Sequence, residues 1–178
     1  MPKNEALTSP WIYFAGPLFT AGEMSFNQKL ADGLRSNGYK IYLPQEECAG
    51  AKDPKQLYEI CMQGLQEASM VLIMLDGTDA DSGSCFEMGY GVGIGLPIVG
   101  VRTDFRGSGE HLGVNLMLTN SCTHLILTQM SPSPDHSSND VPNPSPTRPA
   151  VTILEVGTDT LPTLLDIFAT LPAAQATK

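Results

Sequence analysis

Residues 70–75, Met-Val-Leu-Ile-Met-Leu, make an unbroken apolar run between Ser69 and Asp76. A strand with one wet face alternates apolar and polar residues, whereas a run with no polar break is the pattern of a central parallel strand covered on both faces. Such a strand requires helices above and below it, and so a layered α/β chain. The flanking sequence alternates accordingly. Residues 11–15 are a short β-rich run closed by Gly16 and Pro17. In residues 23–36, Met24, Phe26, Leu30, Ala31 and Leu34 recur near helical spacing, and Asn37-Gly38 is a stop signal. A second strand is predicted over 39–43, ended by Pro44, and a helix over 54–68 with Pro54 near its first turn. After a polar loop over 76–84, the pattern predicts a helix over 85–95, a strand over 97–101, a helix over 114–118 and a strand over 123–127. The order βαβαβαβαβ implies a doubly wound α/β fold: a five-stranded, mainly parallel sheet with right-handed crossovers and helices on both faces.

The chain has 178 residues, enough for one domain with a full core, and the expectation is a single domain over 1–178. Its 42% apolar and 16% charged residues are those of a folding chain. Residues 131–149 are rich in Pro and Ser, with Val141 as the sole aliphatic residue, and are expected to be a flexible insertion. Beyond it, residues 151–156 have the composition of a short strand and residues 158–171 the spacing of a closing helix. Ten Lys and Arg against nineteen Asp and Glu give a net charge of −9, the wrong sign for a partner of nucleic acid. The longest apolar stretches fall short of the ~20 residues of a membrane span. The first ten residues lack a basic flank followed by an apolar segment, so nothing marks the chain for secretion. Cys48, Cys61, Cys85 and Cys122 lack CxxC spacing, which fits reduced thiols better than a disulfide frame or a zinc site. The expected location is the cytoplasm.

In doubly wound folds ligands bind at the carboxyl ends of the strands, so the segment after the central strand is the informative one. Asp76-Gly-Thr-Asp-Ala-Asp-Ser-Gly-Ser-Cys-Phe-Glu-Met-Gly-Tyr90 sets Asp81 and Glu87 on either side of a Gly-Ser turn, with Glu87 expected in the first turn of a helix. A helix N-terminus stabilises negative charge, so Glu87 is expected to be ionised at neutral pH and usable as a nucleophile. Asp81 beside it would serve as acid or base, a pairing suited to chemistry at an anomeric carbon. Spacing alone leaves a second reading open, in which Glu87 only favours the helix dipole and Asp81 only sits in a turn. Gly89, Gly91, Gly93 and Gly95 do not form GxGxxG, so a dinucleotide fingerprint is absent; helical glycines at this density point to close packing on the sheet or on another subunit. Cys85 has no His placed by sequence to activate it and reads as a packing thiol. His111, His124 and His136 have no metal-ligand spacing, and no cofactor is called for.

Three blocks, Ile12-Tyr-Phe-Ala-Gly-Pro-Leu-Phe19, Asp81…Gly83…Phe86-Glu-Met-Gly-Tyr90 and Val114-Asn-Leu-Met117, together resemble the nucleoside 2-deoxyribosyltransferases over about residues 11–127. The resemblance implies a flavodoxin-like fold and the transfer of 2-deoxyribose from a 2′-deoxynucleoside to a free purine or pyrimidine base, without a cofactor. It implies that Glu87 attacks C1′ to form a covalent glycosyl-enzyme and that Asp81 protonates the leaving base. It puts Tyr13, Gly16 and Phe19 near the sugar and base, with Gly83 in the turn between the two carboxylates. Gln45 matches a base-binding glutamine, although a Gln after Pro is also an ordinary loop residue. Asn115, with Met117 on the same wall, matches an asparagine given to a neighbouring subunit's site, which implies a homodimer or larger homo-oligomer; a helix cap is the other reading of Asn115. The chain departs from the family pattern twice: Cys61 stands where many members have an aspartate, and the C-terminus has no tyrosine to orient the nucleophile, a task that would fall to another residue such as Tyr13. Two further functions fit the same fold, a hydrolase of 2′-deoxynucleoside 5′-monophosphates and a non-catalytic nucleotide sensor. The first needs cations or several hydroxyls near a phosphate, and residues 16–22 offer one hydroxyl and no Arg or Lys.

Overall fold

The structure, a computed structural model, describes residues 11–106, 112–130 and 149–171. Its strands are β1 (Trp11–Ala15), β2 (Ile41–Tyr42), β3 (Ala68–Met74), β4 (Ile98–Arg102), β5 (His124–Gln129) and β6 (Ala150–Glu155). They form one sheet in the order β2-β1-β3-β4-β5-β6, and every adjacent pair is parallel. The helices are α1 (Ala21–Ser36), α2 (Pro44–Glu47), α3 (Pro54–Gln66), α4 (Ser82–Gly93), α5 (Leu116–Ser121) and α6 (Thr160–Thr170).

The doubly wound parallel sheet predicted from the alternation is present, with one strand more than the five expected. The sixth is the short run beyond the Pro/Ser-rich segment: β6 pairs with β5 in continuous register from His124↔Ala150 to Gln129↔Glu155. It closes the edge of the sheet half-buried, so its apolar pattern is weaker than that of an inner strand. At the opposite edge β2 is shorter than predicted, because Leu43 already caps α2 and Pro44 opens it. The expected insertion over 131–149 lies outside the described residues except for Pro149, as do His111 and His136.

All seven residues of β3 are buried, and the sheet divides two core layers by side-chain alternation. Ile12, Phe14, Leu72, Met74 and Val101 pack with Leu30 and Leu34 of α1 and Leu164 and Phe168 of α6. Tyr13, Ala15, Val71, Ile73 and Leu75 face the other way, against Leu65 of α3 and Met88 of α4. The expectation that the α4 glycines permit close packing holds for Gly91, where a Cβ would lie 2.9 Å from Val71 Cγ2. Packing on the sheet does not extend to Gly89 and Gly93, which face open space within the chain, or to Gly95, whose φ of +81° lies just past the helix end. Among the described residues no helix is long and apolar enough to cross a membrane.

Candidate active site

The order 2-1-3-4-5 reverses direction between β1 and β3, the switch point at which doubly wound sheets open a crevice. A pocket of about 380 Å³ lies there. Gly16, Leu18 and Phe19 after β1, Gln45 and Cys48 beyond β2, Leu57 and Cys61 of α3, and Asp81, Gly83, Ser84 and Glu87 at the start of α4 all line it. Four chain segments thus meet at one end of the sheet.

Local chemistry fixes each segment. The turn after β1 is held by the buried Asn27, whose amide donates to the Pro17 carbonyl (2.9 Å). Thr20 and Glu23 form a capping box on α1: the Glu23 carboxylate accepts from the backbone N–H groups of Phe19 (3.0 Å) and Thr20 (2.8 Å). Phe19 is thereby anchored by its backbone while its ring stays 76% exposed at the pocket rim. Gln45 donates through Nε2 to the Met24 carbonyl (3.1 Å) and to Gln28 Oε1 (3.1 Å). Gln28 in turn donates to Glu46 (2.6 Å), which Arg35 also holds.

Asp81 is the N-cap of α4. Its Oδ2 accepts from the Ser84 N–H (2.8 Å) and the Ser84 hydroxyl (2.9 Å), satisfying a donor that a helix start otherwise leaves bare. Asp76, at the head of the same acidic segment, is a strand tie: its carboxylate accepts from the Thr103 and Asp104 N–H groups (2.6 and 3.0 Å) at the end of β4.

Because α4 begins at Ser82, three residues before the predicted start, Glu87 falls in its second turn and not the first. The helix dipole acts mainly over the first turn, and burial decides instead. Desolvation raises the Glu87 carboxyl to about 7, opposed by a hydrogen bond from Tyr13 and reinforced by the charge of Asp81. The expectation that the helix start holds Glu87 ionised is thus corrected: burial pushes its titration up toward neutral pH. Tyr13 is itself fully buried, stacks on Tyr42 at 5.4 Å, and donates from Oη to Glu87 Oε1 at 2.6 Å. Burial first, and then Glu87, push its phenol far above the ordinary range, so it remains a donor.

Of the residues singled out by sequence, Gly16, Phe19, Gln45, Asp81, Gly83 and Glu87 meet at the pocket, and Tyr13 reaches it through Glu87. Asn115 and Met117 are not among its lining residues. Asn115 caps α5, its Oδ1 accepting from the Met117 N–H (2.9 Å), and Met117 is 68% exposed. Cys85 is half-buried with its thiol directed at the Ala80 carbonyl (3.8 Å). Leu18, Met24, Cys48, Ala49 and Leu57 also line the pocket, and no sequence signal had marked them for it. The rule that ligands sit beyond strand ends pointed to the stretch after Leu43, but the four-residue α2 that brings Cys48 round has too few residues for a periodic signal.

Comparison with known proteins follows the same lines. The family model described as nucleoside 2-deoxyribosyltransferase matches residues 12–117. The fold is similar to that of a 2-deoxyribosyltransferase from the psychrotolerant bacterium Bacillus psychrosaccharolyticus, at a TM-score of 0.54 and 22% identity over 64% of this chain and 83% of that one. A conserved protein from Enterococcus faecalis V583 is similar at a TM-score of 0.61 and 21% identity, over 92% and 99% of the two chains. A CMP N-glycosidase from Clostridium botulinum is similar at a TM-score of 0.53 and 12% identity, over 88% and 98%. No curated protein matches in sequence. With the family model covering more than half of its length, and Glu87, Asp81 and Tyr13 together at the switch point of its sheet, the chain belongs to the nucleoside 2-deoxyribosyltransferase family.

Proposed function

We propose that the protein transfers 2-deoxyribosyl from a 2′-deoxynucleoside to a free purine or pyrimidine base by double displacement through Glu87. The observation that carries this reading is the 2.6 Å bond from the buried Tyr13 hydroxyl to Glu87 Oε1. It holds one carboxyl oxygen of a side chain that lines the pocket together with Asp81, and so orients the nucleophile. In the first displacement a Glu87 oxygen forms a bond to C1′ as the C1′–N bond breaks, and Asp81 delivers a proton to the departing base. A neutral heterocycle leaves far more readily than its anion. The second base then attacks C1′ from the face the first one left, returns Glu87 as carboxylate, and gives its proton up to Asp81. A carboxylate stripped of water is more basic and more nucleophilic than a solvated one, which is the use of burying Glu87. Gly16, Phe19, Gln45 and Gly83 are assigned to substrate contact in this scheme.

Asn115 and Met117 are assigned to the sugar site of a neighbouring subunit in a homodimer or larger assembly. Support comes from the outer side of α3, α4 and α5, where Tyr58, Phe86, Val92, Leu116 and Met117 are exposed and Gly89 and Gly93 leave space for close approach. Among the described residues no Lys or Arg lines the pocket, which favours a nucleoside over its 5′-monophosphate. The testing experiment incubates the purified protein with 2′-deoxyinosine, with and without adenine, and separates the products. Transfer yields 2′-deoxyadenosine only when adenine is present, and repeating with cytosine gives the base range. Hypoxanthine and free deoxyribose in equal amount with or without adenine would overturn transfer in favour of hydrolysis. No product from nucleosides or monophosphates would favour a sensor.

A further inference from the structure

Two thiols stand in contact on the pocket wall. Cys48, which ends α2, and Cys61, in the middle of α3, have their sulfurs 3.6 Å apart, and both line the pocket. Both are partly exposed, whereas Cys122 is buried and Cys85 points at a backbone carbonyl. We propose that Cys48 and Cys61 are a redox pair, joined reversibly in a disulfide by a hydroperoxide, and that the disulfide narrows the pocket beside Glu87 and suppresses the activity proposed for it.

Geometry makes the bond accessible. An S–S bond of about 2.0 Å asks each sulfur to close only part of a gap of roughly 1.5 Å. The chain between the two elements, residues 49–53, is Ala-Gly-Ala-Lys-Asp, and a side chain at Gly50 would meet nothing within 4 Å. α2 is four residues long. Gln45 and Glu46 tie α2 to α1, so the movement falls on Cys48 at its end and on the 49–53 segment. α3 is the fixed partner, held by the Tyr42 hydroxyl on the Ile60 carbonyl (2.8 Å) and by the Trp11 indole on the Gly64 carbonyl (2.8 Å).

The chemistry balances with a peroxide. One of the two sulfurs attacks a peroxide oxygen, the O–O bond breaks, the other oxygen leaves as water from hydrogen peroxide or as an alcohol from an organic hydroperoxide, and a sulfenic acid remains on that cysteine. The partner sulfur then displaces that hydroxyl, its own proton departing in a water molecule, and the S–S bond forms. The two thiols lose two electrons and the peroxide gains them. Burial, first, and then Cys61 raise the Cys48 thiol, and with the sulfurs in contact either one can make the first attack and the other resolve it. Cys61 also lies against the Tyr13 hydroxyl, whose titration it raises. Drawing Cys61 toward Cys48 changes the surroundings of the Tyr13–Glu87 bond as well as the width of the pocket.

The consequence for activity rests on the proposed transfer reaction, and the covalent chemistry does not, so one experiment separates them. Fully reduced protein is treated with a small excess of hydrogen peroxide. Remaining thiols are alkylated, peptides are mapped by mass spectrometry, and deoxyribosyl exchange is assayed before oxidation, after it, and after dithiothreitol. The expected result is a Cys48–Cys61 linked peptide, Cys85 and Cys122 alkylated, and exchange lowered roughly 10-fold or more with recovery on reduction. In Cys48→Ser and Cys61→Ser the ratio of oxidised to reduced activity should return to near one, whatever the starting rate. Sulfinic acid at Cys48 or Cys61 without a linked peptide, or a link to Cys85, would overturn the pairing. A linked peptide with unchanged exchange would overturn the suppression. A reduced protein with no exchange would remove the transferase reading while the linked peptide still decides the redox pair.

Discussion

The Glu87 carboxyl is pulled in opposite directions, and its reactivity is the balance. Burial raises it from 4.5 to about 7, and the hydrogen bond from Tyr13 holds it below where burial alone would leave it. If the carboxylate is the nucleophile, kcat/KM should rise with pH through an acid limb near 7. Tyr13→Phe removes the opposing bond, and the limb should move up by about one pH unit, a hydrogen bond to a charged group being worth roughly 1.5–3 kcal/mol. A pH–rate profile of the variant checks this, and a limb that stays in place with only KM altered would reduce Tyr13 to packing. The same balance affects stability. Glu87 binds its proton more tightly folded than unfolded, so between about pH 4.5 and 7 folding takes up a proton and stability falls as pH rises, levelling off above 7. With Glu87 partly exposed, the total is no more than about 3 kcal/mol. Urea unfolding at pH 5 and pH 7.5 should show a steeper loss for the native chain than for Glu87→Gln, which should also lose base exchange. Equal slopes would mean that Glu87 titrates at its ordinary value. The two carboxylates were legible in sequence, because a strand, a polar turn and a helix start follow one another locally. The ionisation was not: it is set by Tyr13, 74 positions away, on a strand whose side-chain direction is known only once the sheet is built.

At the scale of elements, α4 combines two demands, close contact with β3 on one side and an uncrowded outer side. A Cβ at Gly91 would press on Val71 Cγ2 at 2.9 Å and on Ile98 Cδ1 at 3.3 Å, while one at Gly89 meets nothing within 4 Å. Gly91→Ala should therefore destabilise by about 1–3 kcal/mol through overpacking. Gly89→Ala should stabilise the isolated subunit by about 1 kcal/mol through helix propensity. Thermal unfolding of both variants checks the contrast, and similar shifts would mean that α4 sits differently on the sheet. From sequence the four glycines looked alike. Helical periodicity says which residues share a side, but which side meets β3 follows from Met88 and Gly91 being buried. The inner strands and α1 were readable for the opposite reason: β3 is buried along its whole length, and α1 buries Leu30, Ala31 and Leu34 at helical spacing. β6 and α2 escaped full recognition because this edge strand has no fully buried residue and a single turn has no period.

For the whole molecule, the question is which pocket Asn115 serves. Within one chain it caps α5, lies outside the pocket lining, and neighbours an exposed Met117. Those facts suit an asparagine presented to a second subunit, and the idea has an arithmetic consequence. In a two-fold dimer each site would take Glu87 from one chain and Asn115 from the other. Asn115→Ala and Glu87→Gln should each be nearly inactive alone, every site in either homodimer lacking one group. Unfolding and refolding them together at equal concentration makes half the dimers mixed. In a mixed dimer one site lacks both groups, and the other has Glu87 from the Asn115→Ala chain and Asn115 from the Glu87→Gln chain. One intact site per mixed dimer is about a quarter of the sites in the native protein, so exchange should recover to about that level. If Asn115 acted within its own chain, no mixture would contain an intact site and activity would stay at the level of the separate variants. The magnitude matters as much as the recovery. Loss of the α5 cap alone would cost about 1 kcal/mol of stability and would lower activity in every mixture in proportion to the Asn115→Ala chain present, without a maximum at intermediate composition. A maximum near equal proportions is the signature of a shared site.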